Sequence, residues 1–165
     1  MKNKVTLLIG GNQGDRRILI EEAAGLIRKR VGPMVAASAV YESEPWGAFE
    51  TETGGQKPGN FLNQALVVET PLTAAEVLRE TQDIEKTLGR QRAENRDGQR
   101  LYRSRTMDVD IIFFNDEVID TPELTVPHPR MHLRRFVLQP LAEIMPDYEH
   151  PLLHRTVAEL LAEME

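Results

Sequence analysis

Arg105-Thr106-Met107-Asp108-Val109-Asp110-Ile111-Ile112-Phe113-Phe114 is the stretch on which the reading of this chain turns. Its β-branched and aromatic content makes it a strand, and residues two apart on a strand share a face. Asp108 and Asp110 therefore point one way, and Met107, Val109 and Ile111 the other. Ile112 and Phe114 are expected to continue on the aspartates' side, so the acidic pair sits at one end of a buried strand. Two adjacent carboxylates repel each other, and partial burial without a partner is costly. A divalent cation between them relieves both costs, and oxygen ligands suit Mg²⁺. Just upstream stand Arg90, Arg92, Arg96, Arg100, Arg103 and Arg105. Metal-binding carboxylates beside guanidinium forks make a site for a polyphosphate. The competing picture is a solvated strand end with two surface aspartates, and the arginines tip the balance against it.

Outward from that strand, the chain alternates helical and extended patterns. Lys4 to Ile9 predicts a first buried strand, and Gly10 to Asp15 a turn whose last residue can cap a helix. Ile18, Ala23, Leu26, Ile27 and Val31 follow a 3.6-residue period that ends at Gly32-Pro33. Met34 to Tyr41 predicts a second strand and Phe61 to Glu69 a third, separated by a long polar loop over 48–59. Thr73 and Glu76 form a capping box for a helix that Gly89 is expected to end. The arginine-rich stretch then reads as an exposed loop between that helix and the aspartate strand. A lid closing over phosphates, mobile when empty, suits its position and charge. A hairpin through Asn115-Asp116 to Val118-Ile119 follows, then closing helices over 134–144 and 156–164. The order strand-helix-strand-strand-helix-strand describes a ferredoxin-like α+β sandwich, an antiparallel sheet with helices packed on it.

At 165 residues the chain reads as one domain, 1–165, able to bury a core without staples. Its formal net charge of −6 argues against a general nucleic-acid coat. The absence of cysteine excludes disulfides and thiolate metal sites. Val5 to Ile9 is too short for a signal-peptide core or a membrane span, so a cytoplasmic protein with no membrane partner is expected.

Several tempting motifs fail on inspection. A dinucleotide fingerprint needs glycine where Asn12 stands, and a P-loop needs Gly-Lys-Ser/Thr where Gly14-Asp15 stand. His128 and His132, like His150 and His154, are four apart, but Pro129 and Pro151 break the helical face that zinc ligation would use. A histidine donating to phosphate suits the pattern better. Phe61 and Asn63 share a strand face, which sets an aromatic beside an amide and suits a flat heteroaromatic ligand.

Taken together, these segments resemble the 6-hydroxymethyl-7,8-dihydropterin pyrophosphokinases of folate biosynthesis. Leu8 to Asp15 is similar to the family's "GxNxGD" opening, and Val40 to Gly47 to its "vYeTePwG". Phe61-Leu62-Asn63 matches its pterin-binding strand. Glu85 to Arg92 resembles its "iExxlGRxR", Arg105 to Asp110 its "RxxDxDil", and Leu124 to Met131 its "ltvPHprm". The match runs almost the whole chain in order.

The resemblance implies transfer of the β,γ-pyrophosphoryl unit of ATP, the co-substrate, to the pterin hydroxymethyl group, with release of AMP. It implies two Mg²⁺ ions on Asp108 and Asp110, and a triphosphate gripped by Arg90, Arg92 and Arg105. Gln82, Glu85, His128 and Arg134 are implied on the ATP side. Phe61 and Phe136 would sandwich the pterin and Asn63 read its edge, with Ser43, Glu44 and Trp46 lining it. The implied partners are small molecules only, and a monomer is expected. Leu101 stands where the family often has arginine beside its loop aromatic, here Tyr102, and Phe61 replaces a frequent tyrosine. The loop from Arg92 to Arg105 looks longer than the family's usual one. Two rivals use similar elements: a palm-type nucleotidyl transferase or cyclase, and a ferredoxin-like RNA-binding module, whose aromatic signature this chain lacks.

Overall fold

The structure, a computed structural model, describes residues 2–11, 16–43, 61–94 and 107–164, with side chains at all of these except 16 and 89–94. Strand β1 (Asn3–Gly11) runs through the middle of the sheet, and its sequence explains why. Val5, Leu7 and Ile9 alternate with Thr6 and Leu8, and all five are buried. A strand with apolar side chains on both faces needs cover on both. Helix α1 (Arg16–Arg30) leads to β2 (Met34–Ala37) and β3 (Tyr41–Ser43). Then come β4 (Phe61–Thr70), helix α2 (Ala74–Glu94) and β5 (Asp108–Phe114). β4 and β5 flank β1, while β2 and β3 both pair with the far side of β4, and every pairing is antiparallel. With β2 and β3 taken as one interrupted strand, this is the topology the sequence predicts.

The sheet carries a core on each face. Val5, Leu7 and Ile9 pack with Ala23 and Ile27 of α1 and Val77, Ile84 and Leu88 of α2. On the other face, Leu8, Ala65, Ile112 and Phe113 pack with helices α3 (Arg135–Ile144) and α4 (Val157–Glu163), through Val137, Leu138, Leu141, Val157 and Leu160. A short ribbon of β6 (Ile119–Asp120) and β7 (Thr125–Val126) and a 3₁₀ turn (Met131–Leu133) lead from β5 to α3. No described helix is long and apolar enough to cross a membrane.

Helix starts are held as predicted and once more besides. Thr73 Oγ1 accepts the Glu76 N–H at 3.2 Å while Glu76 accepts the Thr73 N–H at 2.9 Å. The Thr73 backbone N–H first, and then its hydroxyl, hold the Glu76 carboxyl below its usual range. Thr156 and Glu159 form a second box at α4, at 3.1 and 2.8 Å.

Four expectations need correcting. The second strand is broken after Ala37, because the Ser38 hydroxyl accepts the Ala65 N–H at 3.0 Å and so stands in for the backbone ladder. Helix α2 does not stop at Gly89 but runs on to Glu94. One glycine costs about 1 kcal/mol, too little to end a helix continued by good helix formers. The hairpin from β5 to Val118-Ile119 does not form. Asn115, at φ 51°, instead turns the chain while exchanging bonds with Lys4, and Ile119 pairs with Val126. Finally, Phe114 does not lie on the aspartates' side.

The cause of that last departure is a β-bulge. Leu7 faces Ile111 and Thr6 faces Phe113, which leaves Ile112 as an extra residue. An inserted residue resets strand alternation. Phe113 therefore joins Ile112 in the core under α3 and α4, and Phe114 joins the core under α1 and α2. Met107, Val109 and Ile111 pack in the latter as predicted.

Candidate active site

Cross-strand partners in an antiparallel sheet share a face. The register pairs Tyr41 with Asn63, Asn63 with Gly10, and Gly10 with Asp108. These four residues form one row across β3, β4, β1 and β5. Asp110, opposite Leu8, and Phe61, opposite Ser43, flank the row on the same face. With strands about 4.8 Å apart, Asn63 and Asp108 stand roughly 10 Å from each other across Gly10. The aromatic–amide pair and the aspartate pair, far apart in sequence, are thus two ends of one surface, on the face that α3 covers.

At the amide end, Asn63 is 4% exposed and donates from Nδ2 to Ser43 Oγ at 3.0 Å. The amide lies over Gly10, where a Cβ would come within 2.5 Å of Asn63 Oδ1 and 2.6 Å of the Leu62 carbonyl. Only glycine leaves that space open. Phe136, in the first turn of α3, packs half-buried against the core on this face. Its ring carries the Arg134 guanidinium 5.6 Å from its centroid, a cation–π distance. Two residues assigned by resemblance to different ligands are therefore in contact.

At the carboxylate end, Asp108 and Asp110 are each half-buried on the sheet's outer strand. Between them the Val109 N–H, turned away from β1, donates to Glu85 Oε2 on α2 at 2.8 Å. The bulge also places His128, whose N–H donates to the Ile112 carbonyl at 3.1 Å. His128 Nδ1 accepts the Arg130 N–H at 3.2 Å, so the neutral ring keeps its proton on Nε2 as a donor. Burial pushes the His128 pKa down, aided by Arg134 and Arg130 and opposed by Asp110. The ring is held neutral beside a carboxylate.

This donor set fits Mg²⁺. That ion is commonly held by one or two carboxylates together with substrate phosphates, so two aspartates on one face suffice. Among the described residues no three acidic or histidine side chains converge as a complete protein cage. Gln82 is exposed on α2, one turn before Glu85. Glu44, Trp46 and Arg105 lie outside the described residues, as does most of the lid expected from Arg92 to Arg105. Arg90 and Arg92 are described only as backbone of the last turns of α2. Sequence reading missed the links that organise the site: the Ser43–Asn63 bond, the Glu85 acceptor and the bulge under His128. The run Ile111-Ile112-Phe113-Phe114 carries no local mark of a bulge.

Residues 6–146 match the family model for 7,8-dihydro-6-hydroxymethylpterin-pyrophosphokinase (HPPK). The chain is similar to the 2-amino-4-hydroxy-6-hydroxymethyldihydropteridine pyrophosphokinase of Bacillus subtilis, 41% identical over 90% of this chain and 82% of the relative. It is 36% identical to the same-named protein of Aquifex aeolicus, over 96% and 91% of the two chains. Among solved structures, Plasmodium falciparum HPPK-DHPS wild type with pterin and p-hydroxybenzoate superposes with a TM-score of 0.70 at 18% identity. That match takes in 99% of this chain and 42% of the solved one, and at such identity it speaks for the fold.

Proposed function

This chain belongs to the 7,8-dihydro-6-hydroxymethylpterin-pyrophosphokinase family, and from that premise we propose how its residues divide the work. The reaction moves the pyrophosphoryl group of ATP to 6-hydroxymethyl-7,8-dihydropterin, a step of folate biosynthesis. The hydroxymethyl oxygen attacks the β-phosphorus, the bond to the α-phosphate bridging oxygen breaks, and AMP leaves. The palm-type transferase and RNA-binding alternatives have no support from the family placement.

Asp108 and Asp110 would hold two Mg²⁺ ions, which would supply positive charge against the phosphates and so lower the barrier to attack. Neutral His128 offers Nε2–H to a phosphate oxygen, and Arg134 adds positive charge beside it. Arg90, Arg92 and Arg105 grip the triphosphate, with Gln82 and Glu85 on the same side. Phe61 and Phe136 stack on the two faces of the pterin, and Asn63 reads its edge. Ser43, Glu44 and Trp46 complete the wall. The protein acts as a cytoplasmic monomer, a single domain with small-molecule partners only.

The observation that carries this reading is the row Asn63–Gly10–Asp108. Its span of roughly 10 Å lets one end hold a bicyclic ring while the hydroxymethyl arm reaches the other. Asp108→Asn and Asp110→Asn test it. Each is expected to cut AMP release by at least a thousandfold at saturating Mg²⁺ while the melting temperature stays near that of the parent, since about 1.4 kcal/mol of barrier is a tenfold in rate. Near-normal turnover in either variant would remove the metal assignment.

A further inference from the structure

Glu143 lies outside every motif of the site, yet it ties together the two elements that bear the pterin residues. It stands in the last turn of α3, seven residues after Phe136. Two helical turns separate the pair, so they share one face of the helix about 10 Å apart. Its carboxylate accepts the Ala39 N–H with both oxygens, at 3.1 and 3.2 Å. Glu143 Oε1 also accepts the Tyr41 hydroxyl at 2.6 Å. Ala39 lies in the break between β2 and β3, where the backbone leaves the regular ladder with β4, and Tyr41 opens β3 just after it. Tyr41 is the direct cross-strand partner of Asn63, and Ser43, two residues on, holds the Asn63 amide.

We propose that Glu143 is a positioning residue for pterin: its three contacts with Ala39 and Tyr41 set the distance between α3, which carries Phe136, and the strand pair that carries Ser43, Phe61 and Asn63. β3 is a three-residue segment whose strand partner is β4, and the Glu143 contacts join it to the helix. The Tyr41 pKa is raised, first by its bond to Glu143, then by burial and by the nearby charge, so the phenol remains a donor across the working pH range. The acceptor must be an oxygen at this position, which glutamine retains and alanine does not.

The inference rests on the pterin pocket proposed above, and the experiment separates the two. Steady-state kinetics and calorimetry with pterin and with a non-hydrolysable ATP analogue would compare Glu143→Ala, Glu143→Gln and Tyr41→Phe with Asn63→Ala. Expected for Glu143→Ala is a five- to twentyfold rise in KM and Kd for pterin, with kcat within twofold and ATP affinity unchanged. Tyr41→Phe, which removes one oxygen atom and leaves the fold intact, should give a two- to fivefold rise of the same kind. Glu143→Gln should restore pterin affinity to within twofold of the parent. A lowered melting temperature with unchanged pterin affinity in Glu143→Ala and Tyr41→Phe would make Glu143 structural only and overturn the inference. Should Glu143→Ala fail to fold, unchanged pterin affinity in Tyr41→Phe overturns it alone. If Asn63→Ala itself left pterin affinity unchanged, the pocket reading would fail first, whatever Glu143 did.

Discussion

The two edges of the sheet meet the same problem with the same group drawn from opposite layers. An outer strand presents backbone N–H groups that no further strand pairs. At the β5 edge Glu85, from helix α2 below the sheet, accepts the Val109 N–H between the two aspartates. At the other edge Glu143, from helix α3 above it, accepts the Ala39 N–H just before the strand that holds Asn63. One glutamate braces the carboxylate end of the row and the other its amide end. The difference is in what each brace positions. Glu85 fixes the backbone between the two aspartates proposed to hold the metal ions, whereas Glu143 fixes a helix against a strand. Damage at the first edge should appear in the rate, and damage at the second in pterin affinity.

The largest effect that would sharpen this contrast is at Glu85. Glu85→Ala leaves the Val109 N–H without its side-chain acceptor, at a cost of about 1–3 kcal/mol in stability. Asp108 and Asp110 then sit on a loosened backbone, and kcat is expected to fall ten- to a hundredfold. Pterin Kd should stay within twofold. A variant that lost pterin affinity and kept its kcat would break the comparison.

Next in size are the contacts at the amide end. Asn63→Ala removes the amide proposed to read the pterin edge, and Phe136→Ala the proposed stacking face, worth about 0.5–1.5 kcal/mol beyond its burial. Both should weaken pterin binding by tenfold or more while leaving ATP-analogue binding near that of the parent, with Arg90→Ala and Arg105→Ala biased the other way. Calorimetry on each ligand separately decides it. An equal loss for both ligands would mean that the two ends are not separable.

The smallest effects lie far from both edges and serve as controls. Thr156→Ala removes one half of the α4 capping box and should cost about 1 kcal/mol of stability with no change in either kinetic constant. His150 offers a pH control. It is buried, with Nδ1 accepting the Leu152 and Leu153 N–H groups at 3.1 Å each. Burial first, then His132 and His154, lowers its pKa from the ordinary value. The unfolded chain therefore binds the proton more readily. Stability from this group is complete above about pH 6.5 and declines as pH falls below it. Chemical denaturation at pH 7.5 and 5.5 should show a smaller drop for His150→Asn than for the parent.

Legibility differed sharply between the elements. The capping box at Thr73 and the helical period of α1 depend on neighbours a few residues apart, so local sequence contained them whole. The family motifs likewise marked Asp108, Asp110, Phe61 and Asn63 before any register was known. The bulge at Ile112 had no such signal, because Ile111 to Phe114 are all apolar and either phase of alternation buries them. The fate of Phe114 and the seating of His128 both followed from it. Gly89 misled for the opposite reason: its local cost is real but smaller than the propensity of the residues after it.

The sequence by itself determined the order of elements, the apolar faces of β1, α1 and α2, the family, and through the family the reaction. These depend on periodicity and on motifs whose residues are close along the chain. Only the tertiary structure decided that Asn63 and Asp108 face each other across Gly10, and that Glu85 and Glu143 brace the two edges. Strand register and helix-to-edge contacts join residues dozens of positions apart, and no local pattern encodes a distance that only the folded sheet creates.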